Sequence, residues 1–485
     1  MITGTAAEVT ALPGVRISLG RLLADLNSGR SCLWLLPRKL LEGPDCPAER
    51  LFDELLHELA DFVLLPPDDP TAPLAFRPLI PAQPPAPTRW SGLAPVLDYD
   101  DGLSELFSGT APSPAEPEPP PLPTPAEALA CLLERLAKEL DSTDQTEPTG
   151  HDTAGDVLAR LTGARSSPAE TRPVVVRAWR EPVPSAATHL LRRLVATGKE
   201  AGLPPARRPR VLVVASSEDL PTGLPGQLAR EDIAVHWWWG ATGRLDTATI
   251  VALARPPVNS AVDRHHLQES VTQATITEIC GPFLDVAAAL AARWKDGRLE
   301  SLSAALHDVI SVFPVPAEAI PPRRAEGTRN PGQRPNESLL SAWNAVAVDS
   351  WDGRLRHHPR QDLDHAHVVA ARVWLAQNHV LLPLLDDARE RFAATVRLRA
   401  RVPLPRLAEE YGPRRDPDAA PESPGDLVDT LELGAMWGAY RDGAIALTPR
   451  ERHRLRTLRD ARNLLAHRTP LNGDQLHHLI NELCR

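Results

Sequence analysis

The chain has 485 residues, too many for one hydrophobic core, and ordinary domain sizes imply two or three. Its 42% hydrophobic and 24% charged residues are typical of a globular protein, and a net charge of −10 argues against a protein that coats nucleic acid along its whole length. Proline is the compositional outlier at 51 residues, and the cations are skewed, with four lysines against forty-nine arginines.

From the N-terminus, Met1 to Arg16 lacks a basic stretch followed by an apolar one, so no secretory leader is expected. No run of about eighteen uninterrupted apolar residues reads as a membrane span. The five cysteines (Cys32, Cys46, Cys131, Cys280 and Cys484) are odd in number, far apart and free of any CxxC, so neither a disulfide framework nor a zinc site is expected. These signs point to a cytoplasmic protein.

Ser31 to Leu36 is an apolar run, Leu51 to Leu59 has helical spacing, and Phe62 to Leu65 is a second short apolar run. The stretch 66–88 is proline-rich but keeps apolar residues. Residues 111–125 hold eight prolines and read as an extended spacer. Thr124-Pro125-Ala126-Glu127 then starts a helix, with a hydroxyl cap, proline at the first position and an acid at the third, running to about Leu140. Val174–Trp179 reads as a strand, Ala186–Gly202 as a helix, and Val211–Ala215, Ile233–Trp239 and Ile250–Leu253 as strands. Helices follow at about 283–293 and 300–312, with further breaks at 314–337 and 412–425. From residue 338 onward the periodicity is almost wholly helical.

The expected architecture is an N-terminal α/β region with a mostly parallel sheet, then an all-α bundle. The pieces are a segment at 1–110, a spacer at 111–125, an α/β domain at 126–313, a linker at 314–337 and a bundle at 338–485. The α/β texture resembles a P-loop ATPase region, which implies a fold of nucleotide-binding type. The phosphate chemistry is missing, however. After Leu36 come Pro37, Arg38 and Lys39 with no glycine, Gly198-Lys199 lacks an upstream glycine, and Gly240 to Arg244 contains no lysine. The region therefore reads as degenerate, with no cofactor expected. In Trp237-Trp238-Trp239, alternation puts Trp238 opposite the other two. One face is core, and the other is packing between domains or an aromatic contact for a base, peptide or helix. Arg244 and Asp246 just beyond could pair at a loop.

The segment that carries chemistry is Leu447 to Cys484. Thr448-Pro449-Arg450-Glu451 opens a helix that stops before Pro470, and a second helix runs from about Asp474 to Cys484. At 100° per residue, Asn463 and His467 are one turn apart, with Arg456 and Arg459 on the same side, while Leu455, Leu458 and Leu465 face a core. Guanidinium groups suit the oxygens of a phosphodiester, and an imidazole moves protons near neutrality. No metal-ligand set lies beside them. His357-His358 and His477-His478 project about 100° apart within each pair and read as surface or interface residues. Arg360 to His365 repeats the Arg–His spacing in a polar, loop-like stretch.

Arg462-Asn463-Leu464-Leu465-Ala466-His467 resembles the R-x4-6-H motif of HEPN domains, small helical bundles that include many metal-independent ribonucleases of toxin–antitoxin and phage-defence systems. The resemblance spans roughly residues 340–485. Ala366–Leu382, with Val369, Val373, Ala376 and Val380 on one side, fits an earlier bundle helix, and Leu427–Tyr440 fits another. It implies that Arg462 stabilises the transition state, His467 acts as acid or base and Asn463 supports them, with Arg456 and Arg459 contacting RNA. It also implies a homodimer through the bundle, since the family's cleft forms between two domains. The α/β region would then control the ribonuclease, with a regulatory protein as a further partner and no membrane involved. The alternative is a non-catalytic regulatory or scaffold subunit of a defence complex. Residues 445–485 carry eight arginines against four acids, so a basic helix sits on a body of net charge −14.

Overall fold

The computed structural model describes residues 7–42, 46–59, 61–67, 123–144, 172–255, 263–316, 333–363, 365–412 and 428–485, with isolated positions 157, 161, 319 and 321. The proline-rich stretches at 68–88 and 111–122, most of the 314–337 break and the break at 413–425 lie outside the described residues.

Five parallel strands form the central sheet. In chain order the elements are α1 (Pro13–Asn27), β1 (Cys32–Leu36), α2 (Pro47–Glu58), β2 (Val63–Leu64), α3 (Pro125–Asp144), β3 (Val174–Arg177), α4 (Ser185–Glu200), β4 (Val211–Ser216), α5 (Leu224–Arg230) and β5 (Ala234–Trp237). The spatial order is β2-β3-β4-β1-β5. β1 therefore sits inside the sheet, pairing Leu33 with Val213 on β4 and with Val235 on β5. Every residue of β1 and β4 is buried, as expected for strands covered on both faces. Residues 1–110 and 126–313, set apart by the proline spacer in the sequence, thus contribute strands to one sheet. Thr124 caps α3 as its sequence predicts, exchanging hydrogen bonds with Glu127.

Helices α6 (Arg244–Ala254), α7 (Asp263–Cys280), α8 (Leu284–Arg293) and α9 (Leu299–Val312) follow. Ile250–Leu253, expected as a strand, lies within α6. A four-residue apolar run does not distinguish strand from buried helix. Here Asp246, accepting the Gly243 N–H at 2.6 Å, starts a helix just upstream. Asp246 does not pair with Arg244. Its other oxygen accepts the Gly14 N–H at 2.9 Å, and it is fully buried.

The chain from 338 onward is mostly helical, but after the short helix Leu340–Asn344 it forms an antiparallel hairpin of β6 (Val348–Trp351) and β7 (Arg354–His357). His357 and His358 are not surface residues. Both are buried, and the His358 ring packs edge-on against Phe283 at 4.9 Å between centroids. Arg360–Leu363 is a helical turn rather than a loop, and its buried Asp362 pairs with Arg372 at 2.9 Å. The remaining helices are α10 (Ala366–Arg399), α11 (Leu404–Tyr411), α12 (Leu433–Arg441), α13 (Pro449–Ala466) and α14 (Gly473–Leu483). By length and composition α10 is apolar enough to cross a membrane. One face of it, with Leu381, Leu385, Ala388 and Phe392, packs into a core shared with Leu455 and Leu458 of α13 and Leu476 and Leu479 of α14. α7 lies along α10 and contributes Val271 to that core. The helical body therefore recruits a helix from upstream of residue 313.

Candidate active site

α13 forms where its sequence places it. The Thr448 hydroxyl accepts the Glu451 N–H at 3.3 Å, and the Glu451 carboxylate accepts the Thr448 N–H at 2.7 Å, with Pro449 at the first helical position. Leu455, Leu458, Ala461 and Leu465 are buried. The polar face keeps Asn463 and His467 exposed, Arg456 exposed and Arg462 half-buried.

His467 is the residue that closes α13, its N–H bonded to the Asn463 carbonyl at 3.0 Å. The turn beyond it is anchored to α10. Trp374 Nε1 donates to the Leu465 carbonyl at 2.6 Å. Gln377, with no exposed surface, grips Leu471 at both ends: its Nε2 donates to the Leu471 carbonyl at 3.0 Å, and its Oε1 accepts the Leu471 N–H at 2.7 Å. Arg468, in the left-handed region at φ 58°, lays its guanidinium 5.8 Å from the Trp374 ring centre. Asn472 caps α14 through Gln475. His467 thus stands on a bend pinned from both sides. The sequence signal for this clamp was a lone glutamine beside Ala376 on the apolar side of α10, where a polar residue needs a reason.

The arginines are less free than helical spacing suggests. Arg459 bonds Asp460 and stacks on Trp437 at 4.4 Å, and Arg456 approaches Asp460 at 3.6 Å. One carboxylate between two guanidiniums offsets part of their charge. Arg462 lies about 140° round the helix from His467, so one chain does not bring the two together. On the opposite flank of α13, Arg454 has its guanidinium lowered from the usual range. Burial is the main cause, followed by the charge of Arg391, with Glu482 opposing.

The joint between the sheet and the helical body is a second polar cluster. Arg244 at the start of α6 and Arg356 on β7 lie over the Trp351 ring, each 4.6 Å from its centre. Both reach the fully buried Glu278 near the end of α7, and His379 of α10 lies 3.6 Å from the same carboxylate. The hairpin also supplies Asp349, which accepts the Gly240 N–H at 2.9 Å, and Asp352, which accepts the Arg244 N–H at 3.2 Å. Gly240 has φ 65°, and a Cβ there would meet the Ser350 Cβ at 3.2 Å, so this approach requires glycine. Sequence reading missed the cluster because its members are scattered from residue 244 to 379.

In a parallel sheet, ligands bind outside the carboxyl ends of strands whose connections run in opposite directions. Here that point lies between β1 and β4, and the chain itself fills it. Asn344, from the short helix Leu340–Asn344, is buried there. Its Oδ1 accepts the Arg38 N–H at 3.2 Å and the Ser216 hydroxyl at 3.3 Å, and its Nδ2 donates to the Ser217 hydroxyl at 2.9 Å. Arg38 pairs with Asp219 at 2.5 Å. The first amide after β1 is thus taken by a side-chain carbonyl. Among the described residues, no three His, Cys, Asp or Glu side chains gather as a metal-holding group.

No protein-family model matches the chain, and no curated protein or solved structure is similar to it.

Proposed function

We propose that the C-terminal helical body is a HEPN-type endoribonuclease, controlled by the α/β region. The observation that carries the reading is the exposed Asn463–His467 face at the end of a capped helix, with its bend clamped by Trp374 and Gln377. His467 takes the proton of a ribose 2′-hydroxyl as its oxygen attacks the adjacent phosphorus. The P–O5′ bond breaks, and the leaving oxygen takes its proton from the His467 imidazolium, which returns to the neutral imidazole. The products are a 2′,3′-cyclic phosphate and a 5′-hydroxyl end. Arg462 stabilises the charge on the phosphorane, Asn463 holds geometry, and Arg456 and Arg459 contact the RNA backbone. Because Arg462 and His467 sit on different faces of α13, the complete site takes an arginine and a histidine from two copies of the chain. The α/β region is a nucleotide-type fold without a phosphate loop, its crevice closed by Asn344, and it serves as a regulatory module facing a protein partner.

The test is cleavage of a defined RNA by the full chain in EDTA. Wild type cuts and leaves cyclic phosphate ends, while His467→Ala and Arg462→Ala do not. Equal cutting by wild type and His467→Ala would overturn the mechanism. A second reading, a non-catalytic subunit of a defence complex, draws on the pairing of Arg456 and Arg459 with Asp460, which leaves less positive charge for RNA. It predicts no cleavage under any condition, together with stable capture of a partner protein.

A further inference from the structure

The ribonuclease reading leaves one edge of the sheet unused. β5 is an edge strand. The Ala234 and Trp238 N–H groups donate to the Ser31 and Leu35 carbonyls on the β1 side, each at 2.9 Å. Main-chain groups alternate sides along a strand, so those of Val235 and Trp237 point away from β1. Among the described residues, nothing pairs with them. Proline, lysine and bulges, the usual protections of an exposed edge, are all absent from Ala234–Trp237. The strand is nonetheless firmly seated. Trp237 packs on Trp343, with ring centres 5.5 Å apart, and Trp238 packs on Trp34 at 6.0 Å.

Space lies along this edge. Val235, His236 and Trp237 all line a cavity of about 360 Å³ that α1 borders on its far side. Successive side chains leave a strand on opposite faces, so three consecutive residues border one cavity only where it runs past the backbone. A second cavity, of about 730 Å³, continues from Trp237 between α5 and the stretch 334–340. The charges here are unbalanced. Arg21, Arg230 and Arg334 line the two cavities, are exposed, and have no ion-pair partner among the described residues. Of the lining acids, Asp246 has both oxygens occupied by the Gly14 and Gly243 N–H groups, and Asp352 faces Arg244 at 3.3 Å. Among the described lining residues that leaves Glu337 against three guanidiniums.

From these we infer that the β5 edge is a docking site for an extended acidic segment of a partner protein, which adds to the five-stranded sheet as a further strand. The main chains of Val235 and Trp237 exchange N–H···O bonds with the peptide, and its carboxylates meet Arg21, Arg230 and Arg334. A second copy of the chain is the poorer occupant, because pairing β5 with β5 brings the same unpaired arginines together. The site rests on the reading of the α/β region as a module facing a protein partner. It does not depend on RNA cleavage by His467.

Isothermal titration and amide hydrogen exchange of the full chain test it, with an alternating glutamate–threonine peptide of about eight residues, long enough to cover β5. Binding tighter than about 1 mM is expected, with exchange at Val235 and Trp237 slowed at least about tenfold at saturation. The same peptide N-methylated throughout keeps every charge and loses every backbone donor, and should not bind. A lysine–threonine peptide should not bind either. Val235→Pro removes an outward N–H without touching the bonds to β1, and Arg21→Glu reverses an exposed charge where folding is not at risk. Each should weaken the peptide at least about fivefold. No binding at about 1 mM, equal binding of the N-methylated peptide, unchanged exchange at Val235 and Trp237 in the bound state, or unchanged affinity in both variants would overturn the proposal. So would a dimer in sedimentation that Val235→Pro dissociates, since the edge would then belong to a second copy.

Discussion

Gln377 offers the sharpest test of how the bend carrying His467 is held. Replacing it with alanine removes both hydrogen bonds to Leu471, whose surroundings are themselves buried. The Leu471 N–H and carbonyl then lie in the interior without partners. Each such orphan costs about 1–3 kcal/mol, so the bend should lose about 2–6 kcal/mol, before any cost of the vacated volume. Trp374→Phe is the graded control. It keeps the ring beneath Arg468 and deletes one bond to Leu465, for about 1 kcal/mol. Hydrogen exchange across 465–472 reads both directly. Gln377→Ala should speed exchange at least about thirtyfold, and Trp374→Phe about fivefold, with the cores of α10 and α13 still protected. If the ribonuclease reading holds, cleavage falls in the same order while RNA binding is retained. A change below about 0.5 kcal/mol in Gln377→Ala, as for an ordinary surface substitution, would refute the clamp.

Thr448→Ala removes the cap of α13 and should cost about 1 kcal/mol in urea unfolding, with Thr448→Ser largely restoring it. Burial pushes the Asp349 carboxyl up to about 7, against two backbone N–H donors that favour its charged form. The folded protein then holds a proton that the unfolded chain releases, so stability should fall as pH rises from about 4 to 7. Asp349→Asn should flatten this part of the melting profile. Burial, aided by Lys39 and Arg360, pushes His358 down to about 3, and here the unfolded chain binds the extra proton. Stability should fall as pH drops from about 6.5 to 3, and His358→Phe should remove that slope in the same thermal melts. Asn344→Ala leaves the Arg38 N–H without its acceptor and should lower the unfolding midpoint by the equivalent of about 1–3 kcal/mol. It should create no ATP hydrolysis, because no phosphate loop lies beneath it; measurable ATPase activity in that variant would contradict the reading of the crevice.

Features governed by neighbours along the chain are legible in the sequence itself. The capped starts at Thr124 and Thr448, the buried strands at 32–36, 174–177 and 211–216, and the leucine face of α13 all follow from turn chemistry, continuous apolar runs and 3.6-residue spacing. α7 escaped notice because its buried positions include Thr272, Thr275, Thr277 and Glu278, so no apolar stripe announces it. Ile250–Leu253 misled because a short apolar run suits either kind of element, and only the cap that Asp246 makes with the Gly243 N–H just upstream distinguishes them.

What the sequence determined by itself is local: the capped helix starts, the strands with continuous apolar runs, and that Asn463 and His467 share one exposed face. Tertiary structure decided everything that depends on pairing distant residues. It placed β1 inside a sheet built from both sides of the proline spacer, and it buried His357 and His358. It assembled Arg244, Trp351, Arg356 and Glu278 from three separate stretches of chain, and it clamped the His467 bend with a glutamine about ninety residues upstream. The reason is physical. Periodicity and capping report a residue's relation to the next few positions. The partner of a buried polar group is set only when the whole chain closes around it.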